Sequence, residues 1–190
     1  DFTKIQYKSF KSFAKKITNA IGYFPLLHIL NSSGISRHAD MQLDMVRLGI
    51  GLYGIESDPT VGTQLEKVHI LKTKITQIKK ISKDESISYN RSGRLKKDSI
   101  IAVLSMGYAD GLPRIAGTKK YKMWLHGKQV PIIGVVCMDM CMIDISLCPE
   151  ANVGDEVEVF GKNVPIENLS ETSDTIPYEI LCGISPRVKR

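Results

Sequence analysis

"VHILKTKITQIKKIS", residues 68–82, reads as a long strand, because Val, Ile and Thr fill a run that no Pro or Gly interrupts. It opens a series. "DSIIAVLSMGY" (98–108), "KMWLHGKQVPIIGVV" (122–136), "MCMIDISL" (140–147) and "DEVEVFG" (155–161) follow at short intervals, separated by Gly, Asp and Pro turns. Closely spaced strands with turn signals between them predict an antiparallel barrel or sandwich. Beyond them, "PIENLSE" (165–171) and "IPYEILCGI" (176–184) predict two short helices, the second with Pro177 in its first turn, where a missing N–H costs nothing.

Upstream the pattern differs. Phe2, Ile5, Phe10, Phe13, Ile17 and Ile21 recur at near-helical spacing while Lys4, Lys8, Lys11 and Lys15 take other faces, which predicts an amphipathic helix stopped by Gly22 and Pro25. "LLHIL" (26–30) then reads as a short strand closed by "NSSG". After a polar linker, "MVRLGIGLYG" (45–54) reads as a second, Gly-interrupted strand. Helix, strand, connection, strand fits an α/β unit, with the seam to the β-rich part near Gly62. Such a unit is too short to close on itself, since a barrel of that type needs eight strands and about 250 residues. Together with Asp1 in first place instead of Met, this predicts that the chain is a piece of something longer.

With 190 residues and 43% apolar content, the chain can build a real core. Its longest apolar run, around Val130 to Met138, is far shorter than the roughly 20 residues of a membrane helix. The four cysteines fit neither a disulfide framework nor a zinc pattern, so reduced thiols in a cytoplasmic protein are expected. A net charge of +6 arises partly from scattered Lys pairs, which suits a solvated basic surface better than a nucleic-acid site.

Several stretches could carry chemistry. "NSSG" offers a Ser hydroxyl and backbone N–H groups at one strand end, and "RLGIG" sets an Arg beside glycines at the other, a combination able to grip a phosphate. Both are also ordinary turn chemistry. In "SMGYADGLPR" (105–114), Tyr108 stands where a strand stops, either packing on a barrel rim or serving as an acid–base group. Cys137 and Cys141 read as small core residues, His28 as a hydrogen-bonded core histidine and Tyr178 as core. Met138 and Asp139, at a turn, could face a pocket.

Taken in order and spacing, "HILNSSG", "DMVRLGIGLYG", "SYNRSG", "GYADGLPR", "GVVCMDMCMID", "VGDEVEVFG" and "TIPYEILCGISPRV" resemble the C-terminal half of bacterial alanine racemase. The resemblance implies the fold class. It is α+β: a predominantly antiparallel β-barrel domain (63–190) preceded by the last helix and strand units of an incomplete (β/α)8 barrel (1–62). It further implies pyridoxal 5'-phosphate as cofactor, alanine as substrate, D-alanine supply for peptidoglycan and a head-to-tail homodimer. On the matching positions, Ser32, Gly49, Ile50 and Tyr178 contact the cofactor phosphate. Arg47, supported by His28, hydrogen-bonds the pyridine nitrogen. A guanidinium does not readily give up a proton, so it leaves that nitrogen unprotonated and the ring a weaker electron sink. Tyr108 matches the base for the L-alanine face, reaching into the partner subunit's site, and Met138 matches a substrate-contacting residue beside it.

One departure stands out. The family lysine that forms the Schiff base sits in a Lys-Ala-Asn-Ala-Tyr-Gly-like stretch, and no such stretch occurs among these residues. Racemisation needs a base on each face, so the 190 residues alone are expected to bind cofactor weakly and to be inactive. The alternatives are a non-catalytic binding or dimerisation module derived from the racemase, or part of a Mur ligase–racemase fusion.

Overall fold

In a computed structural model, which describes residues 2–56, 58, 60 and 65–190, the chain forms two compact units, Asp1–His69 and Ile70–Arg190. Gly62, where the sequence puts the seam, lies outside the described residues. Each unit has its own logic.

The first unit opens with the expected helix, α1 (Phe2–Ile21), and the Gly22 N–H still reaches Thr18 O at 3.0 Å as the helix ends. Ala14 is buried, whereas Phe2, Ile5 and Phe13 on the apolar stripe remain exposed. Downstream the structure corrects the sequence reading twice. "NSSG" is not a simple turn: Asn31 caps a helix, α2 (Ser32–Arg37), its Oδ1 accepting the Gly34 N–H at 3.0 Å. The two expected strands are reduced to one parallel bridge, His28 with Met45, flanked by Asp44 N–H to Leu27 O (3.1 Å) and Arg47 N–H to Leu30 O (2.9 Å). From Gly49 the backbone leaves the extended form and winds into a 3₁₀ turn, Ile50–Tyr53, because the Gly49 and Gly51 N–H groups turn to the Ser32 hydroxyl instead of a neighbouring strand.

The second unit is the antiparallel structure the strand series predicts. Its strands are β1 (Leu71–Ile81), β2 (Ser86–Ile87), β3 (Gly93–Arg94), β4 (Ser99–Leu104), β5 (Lys122–Leu125), β6 (Lys128–Pro131), β7 (Cys141–Asp144) and β8 (Glu156–Phe160). Leu71, Thr73 and Ile75 of β1 point inward while Lys72 and Lys74 point out, the period-2 alternation of a sheet with one wet face. Six strands run in the order β6-β5-β8-β1-β4-β7, with β2 and β3 as a separate hairpin. β1 is long enough to serve two neighbours, its start pairing with β8 (Leu71 to Phe160) and its remainder with β4 (Ile81 to Ser99). The outer strands meet where Ile132, just past β6, bridges Ile143 of β7, and the Ile133 N–H reaches Met142 O at 2.8 Å. The sheet therefore curls to a near-barrel and not a sandwich.

Leu104, Leu112, Met123, Leu125, Ile132 and Ile143 fill its interior without solvent exposure. Each such side chain contributes about 1.5–3 kcal/mol relative to exposure. Glu158, inward on β8, keeps its charge satisfied by gripping the following turn. Its oxygens accept the Asn163 N–H (2.7 Å), the Val164 N–H (3.1 Å) and the Asn163 amide (2.7 Å). Three helices complete the unit: α3 (Ile115–Thr118), α4 (Ile166–Thr172) and α5 (Pro177–Gly183), the last starting on Pro177 as predicted. Among the described residues no helix is long and apolar enough to cross a membrane, and no group of His, Cys, Asp and Glu could hold a metal ion.

Candidate active site

In the first unit, the parallel bridge brings together five residues that the sequence singles out. Ser32, buried at the start of α2, accepts the Gly49 N–H at 2.9 Å and the Gly51 N–H at 3.3 Å, so its own O–H is left to donate. Ile50 is buried between those two glycines. Arg47 lies two residues before Gly49, its Nη1 donating to His28 Nδ1 at 2.9 Å and its Nη2 to Ile29 O at 3.2 Å. Arg has donors only, so Nδ1 of His28 must be the bare nitrogen and Nε2 carries the ring proton. His28 is hydrogen-bonded as the sequence suggests, with Arg47 as its partner, but it is half-buried and not core.

The second unit gathers another set. β4 ends at Leu104, and the chain turns through Tyr108–Asp110. Two backbone bonds stitch this turn to the Cys137–Met140 turn: Tyr108 N–H to Cys137 O (2.9 Å) and Ala109 N–H to Met138 O (3.0 Å). The stitch requires glycine at 107, because a Cβ there would lie 2.2 Å from Met138 O and 2.3 Å from Cys137 O. Tyr108 is 44% exposed and Met138 54% exposed, so both face outward from one locked pair of turns. Among the described residues no group hydrogen-bonds the Tyr108 hydroxyl. Tyr108 also borders a cavity of 310 Å³ with Leu112, Pro113, Thr175, Glu179 and Ile180.

Sequence reasoning missed Arg187. Its Nε donates to Asp110 Oδ1 and its Nη2 to Asp139 Oδ1, each at 2.6 Å. Asp110 Oδ2 in turn accepts the Gly107 N–H at 2.8 Å. Burial alone would raise the Asp110 carboxyl, but Arg187 and the Gly107 N–H outweigh it and hold the group below its ordinary 3.8. Asp139, whose role the sequence leaves open, is one arm of this fork.

The chain's relatives decide its family. Residues 68–190 match the alanine racemase C-terminal domain, and residues 1–57 match the alanine racemase N-terminal domain. The chain belongs to the alanine racemase family. It is 42% identical over 200 residues to the alanine racemase of Treponema denticola, covering 100% of this chain and 52% of that protein. The structure of alanine racemase from Clostridium difficile 630 superposes with a TM-score of 0.91 at 35% identity, over 99% of this chain and 50% of that one. Alanine racemase from Bartonella henselae, solved with covalently bound pyridoxal phosphate, gives a TM-score of 0.81 at 31% identity over 96% of this chain and 51% of that one. The chain thus spans about half the length of the alanine racemases it matches.

Two remaining readings resolve differently in this alanine racemase family member. Of the two cysteines read as core, Cys137 is only half-buried and Cys141 is core: burial, with Cys137 and Asp110 nearby, pushes the Cys141 thiol up to about 12, which leaves it inert near neutral pH. Tyr178 is not core. It stands on the first turn of α5 and is 42% exposed, because Ile180 supplies the buried contact of that short helix.

Proposed function

We propose that this chain is the C-terminal portion of a pyridoxal-phosphate-dependent alanine racemase, a cytoplasmic homodimer interconverting L- and D-alanine for peptidoglycan synthesis. The observation that carries the reading is the grouping of Ser32, Arg47, His28 and Gly49 at one parallel bridge. Its donors suit the cofactor's chemistry: the Ser32 hydroxyl and the backbone beside it for the phosphate, the Arg47 guanidinium for an unprotonated ring nitrogen. Ile50 would complete the phosphate contacts of the first unit. Bound pyridoxal phosphate supplies an electron-withdrawing ring that acidifies the Cα–H of alanine.

The remaining roles belong to the chain's own side chains. Arg47, steadied by His28, holds its charge without releasing a proton and keeps the ring nitrogen a hydrogen-bond acceptor. Tyr108 moves the proton at Cα on the L-alanine face, reaching outward into the partner subunit's site, and Met138 borders the substrate there. Support for this comes from their shared outward exposure on stitched turns. The second base, which is the cofactor-bearing lysine, lies outside these 190 residues, so the chain alone does not racemise.

The test compares two proteins: the polypeptide encoded by the complete open reading frame and the 190 residues alone, each supplied with pyridoxal phosphate and L-alanine. The larger protein is expected to form D-alanine. The shorter one is expected to form none and to yield no single pyridoxylated lysine after borohydride. Activity in the shorter protein, or none in the larger, overturns the proposal.

A further inference from the structure

Three chain segments meet beneath Tyr108: the turn 107–112, the turn 137–140 and the tail 183–188. The first two are joined by the backbone bonds from Tyr108 and Ala109. The tail docks on the first through the Ser185 N–H to Asp110 O (3.1 Å) and through direct backbone contact, since a Cβ on Gly111 would lie 2.5 Å from Gly183 O. Among the described residues, only the Arg187 side chain touches the charged groups of both turns, with one nitrogen on Asp110 and another on Asp139. Asp110 closes the Tyr108 turn through Gly107, and Asp139 immediately follows Met138.

The geometry points to Arg187 as a positioning residue for racemisation, fixing the separation between the Tyr108 turn and the Met138 turn. This rests on the racemase reading above. Its stability contribution is small by contrast, because the guanidinium is half-exposed and Asp139 is 56% exposed on its side chain, and such pairs add little to folding. What the fork supplies is shape. A planar guanidinium presents two donor directions at a fixed angle, so it sets how far apart two carboxylates sit, which a point charge on a flexible stem does not. A phenol displaced by about 1 Å at a proton-transfer step can lose about two orders of magnitude in rate.

Arg187→Ala, Arg187→Lys and Asp139→Ala are tested in the polypeptide encoded by the complete open reading frame, loaded with pyridoxal phosphate. Arg187→Ala is expected to lower kcat roughly 10- to 100-fold with Tm within about 3 °C of wild type. Arg187→Lys, able to reach one carboxylate, falls between. The Cα-deuterium isotope effect on kcat should rise with L-alanine as substrate and not with D-alanine, because only the step at Tyr108 slows. A merely structural role would not produce that asymmetry. Should Arg187→Ala fail to fold, Asp139→Ala, which removes the acceptor at an exposed side chain, decides by the same isotope signature. Folded variants with kcat within about twofold of wild type and an unchanged isotope effect overturn the proposal. If the wild-type protein itself does not racemise alanine, the racemase reading has failed, and the proposal falls with it before any substitution is made.

Discussion

Arg47 donates to His28 across 2.9 Å, and the direction of that bond is fixed because arginine has nothing to accept with. His28 thereby orients the guanidinium that sits one residue from Leu48 and two from Gly49. His28→Leu removes the acceptor and leaves Arg47 Nη1 without it. In the protein from the complete open reading frame, we expect affinity for pyridoxal phosphate to fall about tenfold, the scale of one hydrogen bond to a charged group. Fluorescence titration of the apoprotein measures it; unchanged affinity would remove His28 from the site.

Gly107 stands too close to two carbonyl oxygens for any side chain. Gly107→Ala must push the Tyr108 turn away from Cys137 O and Met138 O, breaking the stitch. We expect a loss of about 3 kcal/mol in urea unfolding, together with loss of racemisation. A variant as stable as wild type would mean that the two turns separate without cost.

Glu158 offers a check on the barrel alone. Three hydrogen bonds from residues 163 and 164 converge on its carboxylate inside β8. Glu158→Ala leaves those donors unmet and should cost about 3 kcal/mol, with Glu158→Gln losing roughly half as much. Urea midpoints give both values, and equal losses would show that charge, not acceptor geometry, holds the turn.

These relationships were unevenly legible in the sequence. The β-rich half was readable because apolar and charged residues alternate along β1, and because Gly, Asp and Pro mark its turns. The α2 helix was not, since Ser, Ser and Gly favour turns, and only the Asn31 cap commits them to a helix. Strands at 26–30 and 45–54 were overread: their apolar runs are real, but Ser32 captures the Gly49 and Gly51 N–H groups that a ladder would use. Tyr108 and Met138 are read as site residues through the motifs they sit in, and the structure sets both on exposed, stitched turns. Arg187 lies 77 residues from Asp110 and 48 from Asp139, and no local pattern announces a pairing over such distances.

Asp110 also predicts a pH response. Its folded carboxyl lies below the ordinary value, so the stability it adds is fully present above about pH 4 and is lost as pH falls through the lower folded value. Asp110→Asn, which keeps one oxygen for the Gly107 N–H, should therefore show a flatter decline of the urea midpoint below about pH 4 than wild type. Parallel acid limbs in the two proteins would contradict the assignment of that charge to the fork.

The most direct measurement follows alanine in D₂O by proton NMR with the cofactor-loaded protein from the complete open reading frame, beside its Tyr108→Phe variant. Wild type should exchange the Cα proton of L-alanine and accumulate D-alanine, and Tyr108→Phe should lose at least about 100-fold of that racemisation. A wild-type protein that makes no D-alanine, or a Tyr108→Phe variant that racemises as fast, would contradict the account.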